Sequence, residues 1–181
     1  MSLTLQQVLR QLDIDEPNYA ALAALGPDAL PHLAILVRGE DPGVASKAAY
    51  LASLIQSDDS IEVIASAAAS PNDAVRVAAA TGLRNVPTSQ ALPWADRLLD
   101  DADAGVRQQA LRSVARLGME TLEPKVKLMA SRDSVPALRQ LAKKELKRIT
   151  DVRAAAAKQG AGATAKSAKR TARGRRKAKR K

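Results

Sequence analysis

The sequence predicts an all-α chain: a right-handed α-solenoid of stacked helical hairpins over residues 1–151, followed by a disordered basic tail over 152–181. Three observations carry that prediction. Val44, Val75 and Val106 recur every 31 residues, with Ala48, Ala79 and Ala110 four residues behind them. Pro31, Pro93 and Pro124 fall at multiples of the same period, with Glu62 in the missing place. From Ala154 onward no aliphatic residue larger than alanine occurs, so that segment cannot bury enough apolar surface to offset the entropy of ordering it.

The elements follow in chain order. "TLQQVLRQL" and "DEPNYAALAALG" read as a degenerate first helix pair over 1–26, ended by Gly26, a residue type that closes helices in a left-handed turn. Four repeats follow at about 27–57, 58–88, 89–119 and 120–150. Each opens with a first helix at the proline position, where a missing N–H costs nothing in the first turn. Its inner stripe is Leu33 and Leu36, then Ile64 and Ala67, Ala95 and Leu98, Val126 and Met129. The second helix follows Asp41, Asn72, Asp103 or Ser134, again 31 apart, and all four are residue types whose side chains satisfy free helical N–H groups. Behind the cap, apolar residues fall at 0, +4, +8 and +11: Val75, Ala79, Leu83, Val86; Val106, Ala110, Val114, Leu117; and, after one inserted residue, Leu138, Ala142, Leu146, Ile149. That spacing is one helical face. Such hairpins cannot bury their apolar faces alone, and stacking them builds a continuous core.

These residues resemble the HEAT-like repeat family, in its short form of roughly 30 residues found in phycobilisome-lyase-type proteins. "DADAGVRQQALRSVARLG" matches the family pattern of Asp, spacers, Val-Arg, Ala-Leu and Leu-Gly, and "ALPHLAILV" and "ALPWADRLL" are similar to its first helix. The resemblance covers about Ala29 to Thr150. The first two repeats depart from it, with Ala45 where Arg is expected and Asn72 in place of a leading Asp. Such repeats serve mostly as binding scaffolds, so the resemblance implies architecture and leaves activity to the residues.

Composition narrows the chemistry. With no cysteine and His32 as the one histidine, disulfides, thiolate or histidine metal sites and a Cys-His pair are excluded, and no cofactor is expected. "DDADAG" and "SDDS" read as inter-helix loops, since they lack the rhythm of a calcium loop. The start lacks a basic region followed by an apolar block, and no run of about 18 apolar residues occurs, which points to a cytoplasmic monomer without a membrane span. Some HEAT-like proteins are DNA glycosylases that use Asp and aromatic residues on the concave face. Here only Tyr19, Tyr50 and Trp94 are aromatic, and Trp94 falls on a first helix, so that activity ranks last and the chain reads as non-enzymatic.

Charge is unevenly held. Residues 1–151 carry 17 Lys and Arg against 19 Asp and Glu, whereas 152–181 carry 12 against none. Within the body, residues 1–100 have a net charge of −6 and residues 101–151 of +4. Counting from the Val or Leu at 0, Lys143 lies at +5, Arg112 and Lys144 at +6, Arg84 and Lys147 at +9 and Arg116 at +10, all pointing away from the core. The resemblance places second helices on the concave surface, hence a basic stripe there. In the tail, Lys169, Arg170, Arg173, Arg175, Arg176, Lys177, Lys179, Arg180 and Lys181 extend it.

Counterion release would give these cations sequence-independent affinity for DNA or RNA, with a log-affinity against log-salt slope of roughly −4 to −5 if half the tail charges engage phosphates. The reading is therefore a scaffold that binds a protein partner through its repeats and nucleic acid through its tail and C-terminal repeats. The alternative is a purely protein-binding scaffold whose tail is a solubility or acidic-partner segment. Tyr50, Val77 and Leu111, read as exposed apolar positions on second helices, would anchor a partner helix. Arg76, Arg107 and Arg139, at +1, flank the core and are expected to tie one repeat to the next.

Overall fold

The computed structural model describes residues 3–152 and 154. At the start of the predicted tail Val152 and Ala154 are helical, continuing the last helix instead of opening a disordered segment, and the rest of that tail, including Lys169 to Lys181, lies outside the described residues. Helices α1 (Leu5–Leu12) and α2 (Tyr19–Ala23) form the opening pair. Hairpins follow from α3 (Leu30–Val37) and α4 (Pro42–Leu54), α5 (Ser60–Ala68) and α6 (Asp73–Gly82), α7 (Thr88–Leu98) and α8 (Ala104–Leu117). The last pairs α9 (Glu123–Arg132) with α10 (136–152). First helices stack on first helices and second on second, the most extensive packing being α4 on α6 and α6 on α8. Among the described residues no helix is long and apolar enough to cross a membrane.

Most of the predicted stripe is buried, with Leu117 and Leu146 only half-buried at its edge. Leu33, Ile64, Ala95 and Val126 of the first helices and Ala48, Ala79, Ala110 and Ala142 of the second are fully buried. Small residues set how near the second helices come: a Cβ on Gly82 of α6 would sit 2.8 Å from the Cβ of Ser53 on α4. Ser113 of α8 donates its hydroxyl to the Ala80 carbonyl of α6 at 2.6 Å, so a polar side chain is satisfied across the dry seam.

Three of the four predicted caps hold. Asp41 accepts from Gly43 and Val44, Asn72 from Ala74 and Asp103 from Val106, each contributing about 1 kcal/mol to its helix. Ser134 does not cap. The residue inserted in that repeat moves the helix start to 136, so Val135 takes the place of Asp103, and its own N–H donates to Asp133 at 2.8 Å. Pro93 is a second departure. It lies inside α7 because the 3-10 turn that precedes α3 (Gly26–Ala29) and α9 (Glu120–Leu122) has merged with the helix in this repeat. Gly26 closes the opening pair with φ of +71°, a conformation that favours glycine.

Candidate functional site

The second helices carry a lateral row. Tyr50 on α4, Thr81 on α6, Arg112 on α8 and Lys144 on α10 occupy one register position, spaced by 31, 31 and 32 residues. Neighbouring helices pack about 8–10 Å apart, so the row spans on the order of 27 Å. Tyr50 is half-buried and meets Tyr19 of α2 edge to face, with ring centroids 5.0 Å apart and planes at 88°. Burial, and secondarily Tyr50, hold the Tyr19 phenol above its ordinary range. Arg112 and Lys144 are exposed.

Arg84 sits beside this row, in the crevice between α6 and α8. Its Nε donates to the Thr81 carbonyl at 2.8 Å and its Nη2 to Oε1 of Gln109 on α8 at 3.3 Å. Arg112 and Arg116 follow Gln109 by three and seven residues, which keeps them on the same side of the helix. Burial first, then the positive charges of Arg116 and Arg112, push the Arg84 guanidinium below its usual range, and the nearby Tyr50 phenol acts in the opposite direction. Among the described residues no carboxylate forms an ion pair with Arg84, Arg112 or Arg116.

The predicted stripe divides in two. Residues at +7 face the preceding second helix, as Gly82 meets Ser53 and Ser113 meets Ala80, whereas +5 and +9 face the following one. At +5 and +9 of α10 there is no following helix among the described residues. Lys143 and Lys147 therefore stand exposed on the C-terminal end of the solenoid rather than in line with Arg112. The buried Glu145 at +7 is consistent with that register, facing back toward α8 with an ion pair to Arg148 at 3.3 Å.

Leu111 is a correction for the same reason. It lies at +5 of an interior helix and is 0% exposed, so it is core and cannot anchor a partner. Tyr50 and Val77 are half-buried. Val77 packs close to Gly105, beside a shallow groove of ≈ 460 Å³ between α8 and α10 lined by Ala104, Gln108, Leu138, Leu141 and Lys144. Periodicity did not single out Gln109 or this groove, because each depends on which helix a residue faces rather than on its distance from the core stripe.

The arginines at +1 and their carboxylates are structural. Arg76 binds Asp101 through Nε and Nη2 at 2.8 and 3.0 Å, and its Nη1 reaches the Ser70 and Pro71 carbonyls. One repeat on, Arg107 does the same with Asp133 at 2.9 and 3.0 Å and with the carbonyls of Asp101 and Ala102. Arg139 donates to the Asp133 carbonyl at 2.6 Å. The Arg107 hydrogen bonds hold the Asp133 carboxyl below the usual range against burial. At Asp101, burial works upward and the Arg76 hydrogen bonds prevail. Lys125 joins Asp96 and Asp100 at 2.8 and 2.6 Å. The acidic loop at 100–105 is thereby engaged in ties and a cap. His32 bonds the Leu3 carbonyl at 3.0 Å and fastens the N-terminal segment to α3.

Residues 61–127 match the family of HEAT repeats. No curated protein matches the sequence. Among solved structures, a chain in the complex of CpcE and CpcF of phycocyanin lyase from Nostoc sp. PCC7120 is similar, with 20% identity and a TM-score of 0.66 over 78% of this chain and 96% of that one. At that identity the likeness speaks for the fold. The bidentate clasps and the stacked hairpins agree with both comparisons: the described chain folds as an α-solenoid, its residues 61–127 match the family of HEAT repeats, and its second helices present a basic row without ion-pair partners among the described residues.

Proposed function

We propose that the protein is a non-enzymatic scaffold that seats a protein partner across its second-helix face. The observation that carries this reading is the division of charge. The arginines at +1 are held by carboxylates or loop carbonyls on the loop side, while Arg84, half-buried in its crevice, and the exposed Arg112, Arg116 and Lys144 have no acidic neighbour in ion-pair contact among the described residues. Tyr50 and the shallow groove add apolar surface at either end of the same row, the mixture that protein recognition uses. The one histidine is spent on a backbone carbonyl, and Asp101, Asp103 and Asp133 are spent on clasps and a cap, so these groups serve the fold rather than proton transfer. The similar chain from Nostoc is part of a two-protein complex, which by fold analogy supports a protein partner.

A photo-crosslinking residue placed at Val77, Thr81 or Lys144 should give protein adducts in cells, and one placed at Ile35 on the first-helix side should not. Equal yields at the two faces would sink the reading.

A second reading, nucleic acid, draws on the cationic end. Lys143 and Lys147 stand exposed there, beside the start of a segment with 12 basic residues and no acidic one. Binding of random duplex DNA or RNA should then weaken steeply with salt, and Lys143→Glu with Lys147→Glu should reduce it further. Binding that ignores salt would remove this reading.

A further inference from the structure

Arg84 occupies a position that the two neighbouring interior repeats fill with small buried residues, Ser53 on α4 and Ala115 on α8, and that only the last repeat fills with another cation, the exposed Lys147. A guanidinium in such a helix–helix crevice loses hydration, and a counter-ion normally compensates that loss. Arg84 has none among the described residues. Two neutral oxygens take its Nε and one Nη2 hydrogen, and its Nη1 has no hydrogen-bonding acceptor in the described structure. Those two oxygens fix the guanidinium plane beside Arg112 and Arg116. The latter pair are like charges four residues apart on one helix, an arrangement that by itself destabilises the helix. Three cations thus gather at one crevice, one of them held by neutral atoms, and none of the three forms an ion pair with a carboxylate among the described residues.

We propose that this crevice is an oxyanion seat in which Arg84, Arg112 and Arg116 receive a carboxylate from an acidic segment of the partner lying across the second helices. The proposal rests on the second-helix face being the binding surface. Charge complementarity favours a peptide. The row is cationic on α8 and α10 but aromatic on α4, where Tyr50 is packed against Tyr19, and residues 1–100 have a net charge of −6. A nucleic-acid strand bears a charge at every nucleotide, so half its length would meet a neutral or repelling surface. A peptide can place acidic residues at the arginines and an apolar one at Tyr50. Arginine also pairs with planar carboxylates in a fork geometry that lysine cannot offer.

The test uses the full-length ¹⁵N-labelled chain, with the Arg side-chain Nε–H signals assigned by Arg→Lys variants. Hexaglutamate is titrated in one arm and an oligothymidylate of equal charge in the other. Hexaglutamate should shift the Arg84 signal saturably, and Arg84→Gln should weaken the affinity read at Arg112 by about tenfold. Lys143→Gln with Lys147→Gln should leave that affinity unchanged. Because residues 152–181 are the same in every variant, their attraction for the peptide cancels in the comparison. If Arg84→Gln disturbs the fold, Arg112→Gln with Arg116→Gln applies the same test from exposed positions, read at Arg84.

An unmoved Arg84 signal overturns the seat. If Arg112 still shifts in that case, the binding face stands without it. Tighter binding of the oligothymidylate at Arg84 overturns the carboxylate in favour of a phosphate.

Discussion

Arg107 and Arg84 lie 23 positions apart in one repeat array, and the chain treats them oppositely. Arg107 is 9% exposed and saturated: two bonds to Asp133, two to loop carbonyls. Arg84 is half-buried and bonded only to neutral oxygens, with two more arginines nearby. The first arrangement recurs with Arg76 and Asp101 and is missing where Ala45 and Ser70 occupy the equivalent places. The second occurs once. Recurrence marks the charge that stacks the repeats, and a half-buried cation that no carboxylate holds among the described residues marks the surface that does something else.

Breaking the recurrent side should give the largest effect. Arg107→Ala strands the Asp133 carboxylate, whose side chain is 4% exposed, and should cost about 3–5 kcal/mol of stability in urea unfolding at neutral pH. Removing Asp133 as well should add far less than a second such loss, since the pair acts as a unit. Independent costs would show that the clasp is not what joins the repeats. Leu111→Ala should follow at about 2–5 kcal/mol, the cost of a cavity in a dry seam. A loss below about 0.5 kcal/mol, the range of surface changes, would return Leu111 to the surface.

Acid probes the same clasps without mutation. Both Asp101 and Asp133 have carboxyls depressed in the folded chain, so the folded state binds fewer protons than the unfolded one near their unfolded pKa of about 3.9. Their contribution is present above that value and is lost as pH falls through the lower folded values. The urea midpoint should decline below about pH 4, and Asp133→Asn should flatten the decline while lowering the neutral-pH midpoint. An unchanged slope would mean that the Arg107 pairing does not set the acid response.

Much of this was legible beforehand. The 31-residue period fixes the hairpins, and Arg76 and Arg107 read correctly as inter-repeat ties because a residue beside the core stripe meets the next repeat, whereas Arg139 in the last described repeat bonds the Asp133 carbonyl of its own. Leu111 and Lys143 were misplaced by the same shortcut. Both lie at +5, and the angle from one helix axis says only that +5 avoids the hairpin's own core. In a solenoid that direction is buried wherever another second helix follows and open where none does. Ser134 failed as a cap because one inserted residue shifted a loop by one position, which the 31-residue spacing conceals.

The smallest effect separates the two kinds of arginine most cleanly. Arg112→Gln and Arg116→Gln remove exposed cations that no carboxylate holds, so stability should stay within about 0.5 kcal/mol of the parent. Removing one partner of a like-charged i,i+4 pair should tilt that change toward a gain of about 0.2–0.5 kcal/mol at low salt. Screening shortens the reach of the repulsion to about 3 Å at 1 M salt, so the gain should vanish there, whereas the Arg107→Ala loss should persist because its pair is shielded from water. A stability loss from either glutamine variant would instead show that Arg112 or Arg116 is tied into the fold. If stability is unchanged or raised while hexaglutamate affinity falls, the repulsion on α8 is retained at the expense of stability, as expected of residues kept for binding.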